Sequence, residues 1–345
     1  MEDSPNEAQL NVENVVQEVL GSIDRERERE IISRRFGLFD RRETLEQIGE
    51  LLGITRERVR QLEKAILTKL KMAAHNDLAV IKDVEKALGQ HLESVGKVAR
   101  VSDVAAKLTP SDSKVDQARL SFLAQLSPAI TVVEDSDNFF HSLALAAEHS
   151  EKAINQEVDK IIEAVNKIGE PTDINTLAKR LGAKDAKNVE ALASISKNLA
   201  QLHGRWGLIK WPMVNPKNIR DKIYVILHDA KKPMHFSEIA AAIKKSDFKR
   251  KDVTTQAIHN ELIKDKRFVL IGRGIYALRE WGYKKGTVAD VIAEVLRKEG
   301  GPLHRDEIVR RVLKSRQVKE TTILLNLQGK PQFKRVAKAT YTLAE

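Results

Sequence analysis

Residues 44–70 read TLEQIGELLGITRERVRQLEKAILTKL, and the positions of their glycines and apolar residues decide the fold. Thr44 followed three residues later by Gln47 is a capping-box signature, so a helix is expected from Thr44 to Leu52, closed by Gly53. Thr55 caps the next helix, on which Val59, Leu62, Ile66 and Leu70 form a buried stripe at spacings of three and four. Helix, tight glycine turn, helix is the helix-turn-helix arrangement, whose second helix enters a DNA major groove. The stripe turns Arg56, Glu57, Arg60 and Gln61 outward near the N-terminal half of that helix. Those are base-reading residue types: Arg to guanine, Gln to adenine, Glu to cytosine. A solvated charged helix face has the same composition, so this helix by itself leaves both readings open. Upstream, Ile31, Ile32 and Phe36 follow the charged run RERERE at helical spacing, and Gly37 stops that helix.

Extended to residues 25–70, RERERE-IISRRFGL-FDRRE-TLEQIGELLGITRERVRQLEKAILTKL resembles region 4 of primary-type bacterial sigma factors, the part that recognises the upstream promoter element. RRFGL, TLEQIGELLG and TRERVRQLE stand in the family's order. The resemblance implies that Arg56, Glu57, Arg60 and Gln61 contact promoter bases. It places Arg27, Arg35, Thr44 and Leu45, with Thr55 and Arg58, along the phosphate backbone. It also brings RNA polymerase core into view as a partner, because region 4 of sigma factors binds the polymerase flap. A complete sigma factor also carries aromatic-rich segments that stack on unpaired promoter bases. Nothing of that kind precedes residue 24, so the chain is not expected to start transcription alone.

The remainder of the chain bounds what else it does. At 345 residues two or more domains are expected, and with 5% aromatics their cores should be small and aliphatic. No apolar run approaches a membrane span, and the absence of cysteine removes disulfides, thiol nucleophiles and sulfur-ligated zinc. The N-terminal MEDSPNEAQLNVENVV has no basic and apolar leader, so a cytosolic (bacterial cytosol or nucleoid) location is expected. Charge is uneven. Residues 1–75 and 76–216 are each net −2, whereas residues 217–345 carry 29 Lys and Arg against 15 Asp and Glu, net +14. A surplus of that size attracts a polyanion through counterion release.

After residue 76 one template recurs four times: GKVARVSDVAAKL at Gly96, GEPTDINTLAKRL at Gly169, KKPMHFSEIAAAI at Lys231 and GGPLHRDEIVRRV at Gly300. Each is followed by a candidate hairpin: AITVVEDSDNFFHSL, LAQLHGRWGLIKW, FVLIGRGIYAL and FKRVAKATYTL. Helices followed by a two-stranded hairpin describe a winged helix-turn-helix. The expected fold is therefore mainly α with short β-hairpins, a helix-turn-helix domain followed by tandem winged helices. The expected boundaries are 1–23 (N-terminal extension), 24–75, 76–149, 150–216, 217–283 and 284–345, with the modules folding separately like beads.

The last two copies, in particular FSEIAAAI and FVLIGRGIYALREWGYKKGTVADVI, resemble HARE-type winged-helix domains, found in the bacterial polymerase delta subunit, restriction systems and chromatin-associated proteins. Arg273, Lys334, Arg335 and Lys338 put positive charge on the wings, where phosphate contacts are possible. Tyr276 and Tyr341 read as hairpin-core aromatics, and His235 and His304, each two residues after a proline, as turn or capping residues. No GxxxxGK[ST], GxSxG, HExxH or paired-aspartate pattern occurs, so neither catalysis nor a metal or other cofactor is expected. The expectation is a DNA-binding regulator of transcription initiation acting on promoter-like duplex, with no membrane partner. A delta-like polymerase adaptor and a DNA-targeting component of a restriction or defence system are the alternatives.

Overall fold

Thr44 caps its helix as its spacing to Gln47 requires: its Oγ1 accepts from the Gln47 amide at 3.2 Å, and Gln47 Oε1 accepts from the Thr44 amide at 2.9 Å. In the computed structural model, which describes residues 9–76, 79–248, 252–283 and 286–344, four helices open the chain. They are α1 (Val12–Gly21), α2 (Glu26–Phe36), α3 (Leu45–Leu52) and α4 (Arg56–Asn76). Ile31, Ile48 and Val59, one from each of α2, α3 and α4, are buried together as the inner core of the helix-turn-helix. Gly49 and Gly53 make its tight turn. A Cβ on Gly49 would lie 2.6 Å from the Ile54 carbonyl oxygen, and Gly53 sits at φ +64°. Any side chain at the first clashes with backbone, and an L side chain at the second is strained.

The rest of the described chain repeats one topology: helix, short strand, two helices, hairpin. The copies run α5 (Ala79–Val95), β1 (Val98–Arg100), α6 (Val101–Leu108), α7 (Lys114–Leu126), β2 (Ile130–Val133), β3 (Ser142–Leu145); then α8 (Glu151–Ile168), β4 (Thr172–Asp173), α9 (Ile174–Leu181), α10 (Ala186–Ile195), β5 (Leu199–Leu202), β6 (Arg205–Leu208). The third is α11 (Ile219–Ala230), β7 (Met234–His235), α12 (Phe236–Lys245), α13 (Thr255–Lys264), β8 (Phe268–Gly272), β9 (Ile275–Leu278). The fourth is α14 (Val288–Glu299), β10 (Leu303–His304), α15 (Arg305–Leu313), α16 (Glu320–Gly329), β11 (Phe333–Ala337), β12 (Thr340–Leu343). In every copy the hairpin's second strand lies in the middle of a three-stranded antiparallel sheet. Tyr276 and Tyr341, buried on those middle strands, pack as the sequence suggests.

Two compact units result, Met1–Lys210 and Trp211–Glu345. The first corrects the expectation of separately folded beads. Residues 1–23 were expected to be an extension outside the modules, but Val12, Val16 and Val19 of α1 are buried. They share one cluster with Ile32, Leu38, Ile66 and Leu70 of the helix-turn-helix and with Leu120, Phe122 and Leu123 of α7. The physical reason lies in α7, which is buried at every position from Arg119 to Ala124 and therefore needs partners on all sides. Arg119 itself, buried, ties three segments together. Its Nε donates to the Leu38 carbonyl at 2.8 Å, and its Nη1 donates to Glu13 and Asp116, each at 3.0 Å. The second copy docks on the first through α10: Asn188 donates to the Gly96 carbonyl at 2.9 Å and the Arg100 guanidinium donates to the Ser194 carbonyl.

Within Trp211–Glu345 the two copies are likewise joined. The Gln317 amide donates to the Ile271 carbonyl of β8 at 3.3 Å, and the buried Arg316 guanidinium donates to the carbonyls of Leu270 and Gly286. A Cβ on Gly272 would lie 2.7 Å from the Gln317 carbonyl, so the close approach of this segment to β8 depends on glycine there. Val269, Ile271 and Ala277, on the hairpin, form a second apolar cluster with Trp281 and Tyr283 against them.

Candidate nucleic-acid interface

The helix expected to read bases is α4, and its N-terminal half has the geometry this requires. Thr55 Oγ1 accepts from the Arg58 amide at 3.2 Å, capping the helix. Val59, buried to 0% exposure, faces the inner core, and Ile66 and Leu70 carry the stripe onward into the larger cluster. The four side chains Arg56, Glu57, Arg60 and Gln61 are all exposed on the opposite side, as is Arg58. Burial of the stripe is thus what orients the polar set.

Three of those side chains are organised before any ligand arrives. Glu57 accepts from Arg60 Nε at 2.8 Å and Nη2 at 2.7 Å, and Gln61 Nε2 donates to Glu57 at 3.3 Å. The Arg60 hydrogen bond holds the Glu57 carboxyl below the usual carboxylate range, and Glu57 in turn raises the Arg60 guanidinium. Arg60 still has its Nη1 side open, since only Nε and Nη2 engage Glu57. Because the pair is exposed, exchanging it for contacts to a base costs little. Arg58 donates to the other end of Gln61 at 3.4 Å, so its nearest partner is a neighbouring side chain.

The residues placed on the phosphate backbone by resemblance are distributed differently. Thr44, at the N-terminus of α3, is exposed, while Leu45 is half-buried against the inner core. Arg27 donates to the Leu52 carbonyl, capping the C-terminus of α3. Arg35 is half-buried and forked onto Glu63 of α4, with both Nε distances at 3.2 Å, and its Nη1 reaches the Glu43 carbonyl at 3.4 Å. In this structure both arginines therefore act as braces between the three helices. Their pairing could not be read from sequence, because Glu63 and Leu52 lie more than two dozen residues away in the chain.

On the hairpins, Arg273 is exposed at the β8–β9 turn, where Gly274 at φ +71° completes the bend, and Lys334, Arg335 and Lys338 are exposed on the last hairpin. His235 and His304 are N-caps, of α12 and α15. The His235 side chain accepts from the Ser237 amide at 3.3 Å while Glu238 accepts from the His235 amide at 3.0 Å, and His304 Nδ1 accepts from the Asp306 amide at 3.4 Å. The sequence reading passed over Arg119 and Arg316, whose exclusion from solvent follows from packing between segments that no local pattern announces. Among the described residues no group of His, Asp and Glu has the arrangement of a metal site, and no helix is long and apolar enough to cross a membrane.

Comparison with known proteins concentrates on this same segment. Residues 25–72 match the family model "Sigma-70, region 4". The RNA polymerase sigma factor sigB of Arabidopsis thaliana is 48% identical over 52 residues, covering 15% of this chain and 9% of that protein. The RNA polymerase principal sigma factor HrdD of Streptomyces griseus is 45% identical over 60 residues, 17% of this chain and 18% of that protein. For RNA polymerase sigma factor SigA of a Bacillus species the figures are 51% over 47 residues, 13% and 12%. The chain thus spans less than a fifth of these relatives, and the likeness is to region 4 and not to a whole sigma factor.

Proposed function

We propose that the protein is a DNA-binding regulator of transcription initiation that reads promoter-like duplex with α4. The region 4 match and its relatives support a DNA-binding role in transcription initiation over residues 25–72. The observation that carries the reading is the exposed set Arg56, Glu57, Arg60 and Gln61 on the capped N-terminal half of the second helix of a helix-turn-helix. In the mechanism proposed, Arg60 donates to guanine O6 and N7, Gln61 pairs with adenine, and Glu57 holds the Arg60 fork in position until the major groove is reached. Thr44 and the end of α3 rest on the phosphate backbone.

The four three-stranded copies are proposed to be winged helices, the last two HARE-type, and their net +14 adds contacts that do not depend on sequence. No catalytic role and no cofactor is part of this reading, and the proposed setting is the bacterial cytosol. A second reading, as an adaptor whose main partner is RNA polymerase core, is favoured by one observation: residues 1–75 are net −2, a weak electrostatic start for DNA binding.

Binding of the full chain to a selected duplex tests the first reading. Arg60→Ala or Gln61→Ala should cost about 1–3 kcal/mol on the preferred site and relax discrimination at one base pair. An equal loss on random duplex would move these residues to phosphate contacts. Retention of polymerase from a nuclease-treated lysate, with no preferred duplex recovered, would favour the adaptor.

A further inference from the structure

Among the described residues five helices occupy the second position of a helix-turn-helix, and aligning them on their N-caps separates one from the rest. In α4 the exposed side chains at two and six residues past the Thr55 cap are Glu57 and Gln61, bonded to each other, with buried Val59 between them. In α13 the cap is Thr254, whose Oγ1 accepts from the Ala257 amide at 3.2 Å. The residues two and six past it are Gln256 and Asn260, both exposed, and Gln256 Nε2 donates to Asn260 Oδ1 at 3.1 Å. Ile258 occupies the place of Val59, with 0% exposure. At these three positions the N-terminal half of α13 repeats the α4 arrangement, an exposed polar pair on either side of a buried apolar residue, while half-buried His259 stands where α4 has Arg60.

The other three helices cannot serve. In α7 the equivalent sixth position is Arg119, buried in the core, and in α10 it is Ala191, buried at the docking contact with Gly96. In α16 the positions hold Thr321 and Leu325, the latter 67% exposed and without a polar group to offer a base. Two copies have thus spent this helix on internal packing, and a third presents an apolar side chain. Among the described residues of the four copies, only α13 joins a solvent-facing position to side chains with paired donor and acceptor atoms. Lys244 and Lys245, exposed in the last turn of α12, supply positive charge just ahead of it in the chain.

We infer that α13 is a second base-reading helix, with Gln256 and Asn260 recognising adenine through its N6 and N7 in a major groove. A side-chain amide offers one donor and one acceptor side by side, the complement of adenine's edge, and both residues are of this type. The inference goes beyond the function proposed above, in which residues 217–345 bind without sequence preference, and it rests on that reading only for the comparison with α4.

Selection of bound duplexes from a randomised pool, using the full chain, tests it. Two separable sequence elements should emerge, one containing adenine that weakens on Gln256→Ala or Asn260→Ala by about 5- to 100-fold in discrimination against the wrong base. Gln256→Glu should move the preference at one position from adenine towards cytosine, a change that a solvated or merely structural residue would not produce. The element read by α4 should survive all three substitutions and lose discrimination at one base pair with Arg60→Ala. If that element does not depend on Arg60 while the second still depends on Gln256, the α4 reading fails and this one stands. A single element, or a second one indifferent to both amides, overturns the inference.

Discussion

Each of the two units contains a buried arginine that joins segments distant in sequence, and the two solve the same problem by different chemistry. Arg119 faces the carboxylates of Glu13 and Asp116 as well as the Leu38 carbonyl, so its charge is balanced where it sits. Arg316 donates to two carbonyls, its Nε finds no partner, and burial lowers its guanidinium from the usual value while nearby Asp290 opposes the shift. The contrast follows the charge distribution of the chain. Residues 1–216 carry nearly balanced charge and can supply acids to an interior arginine, whereas the +14 C-terminal segment has fewer to spare. Arg316 is held by backbone dipoles instead. The contrast is one between these two buried joints and not a rule for the units: Arg267 in the basic unit pairs with Asp221 and Asp265, and Arg100 in the balanced one donates to the Ser194 carbonyl.

Arg119→Ala tests the stronger of the two joints. It removes the shared partner of two carboxylates, one of them buried, and should destabilise Met1–Lys210 by about 3–5 kcal/mol, read by denaturant unfolding. Loss of under about 1 kcal/mol would mean that α1, the helix-turn-helix and α7 are held by apolar contact alone.

Arg316→Ala should cost less, about 1–3 kcal/mol, because it strands two carbonyls and no carboxylate. Its main effect should appear as a faster amide exchange at Gln317, whose hydrogen bond to Ile271 depends on the same junction. Equal losses from the two alanine variants would remove the distinction between the joints.

The smallest effect expected concerns surface charge. Lys334→Ala, Arg335→Ala and Lys338→Ala together should lower the slope of log affinity against log salt by up to about 0.9 per lost phosphate contact, leaving sequence preference unchanged. On α4, Arg60→Ala should bring the Glu57 carboxyl back up towards its ordinary range in an NMR titration, since the Arg60 hydrogen bond is the largest cause of its lowering. The sign follows from that direction. A depressed carboxyl keeps the Glu57–Arg60 pair intact as pH falls through the usual carboxylate range and releases it only below. A Glu57 titration indifferent to Arg60 would mean the pair does not persist in solution.

The helix-turn-helix was legible because its signals are local. A capping box, two glycines where no Cβ fits or where φ is positive, and an apolar stripe within one helix all act over a few residues, and together they settle which side chains of α4 face solvent. The four hairpins and the capping role of His235 and His304 come from spacing of the same short range. Tertiary structure alone decided what each module does with its remaining faces. The apolar stripe of α1 gives no sign of its partner, and α7 and α13 occupy the same place in the same template. One is enclosed with Arg119 at its centre, and the other presents Gln256 and Asn260 to water. Local pattern specifies that a face is apolar or polar, but which apolar faces meet depends on burial summed over segments a hundred residues apart.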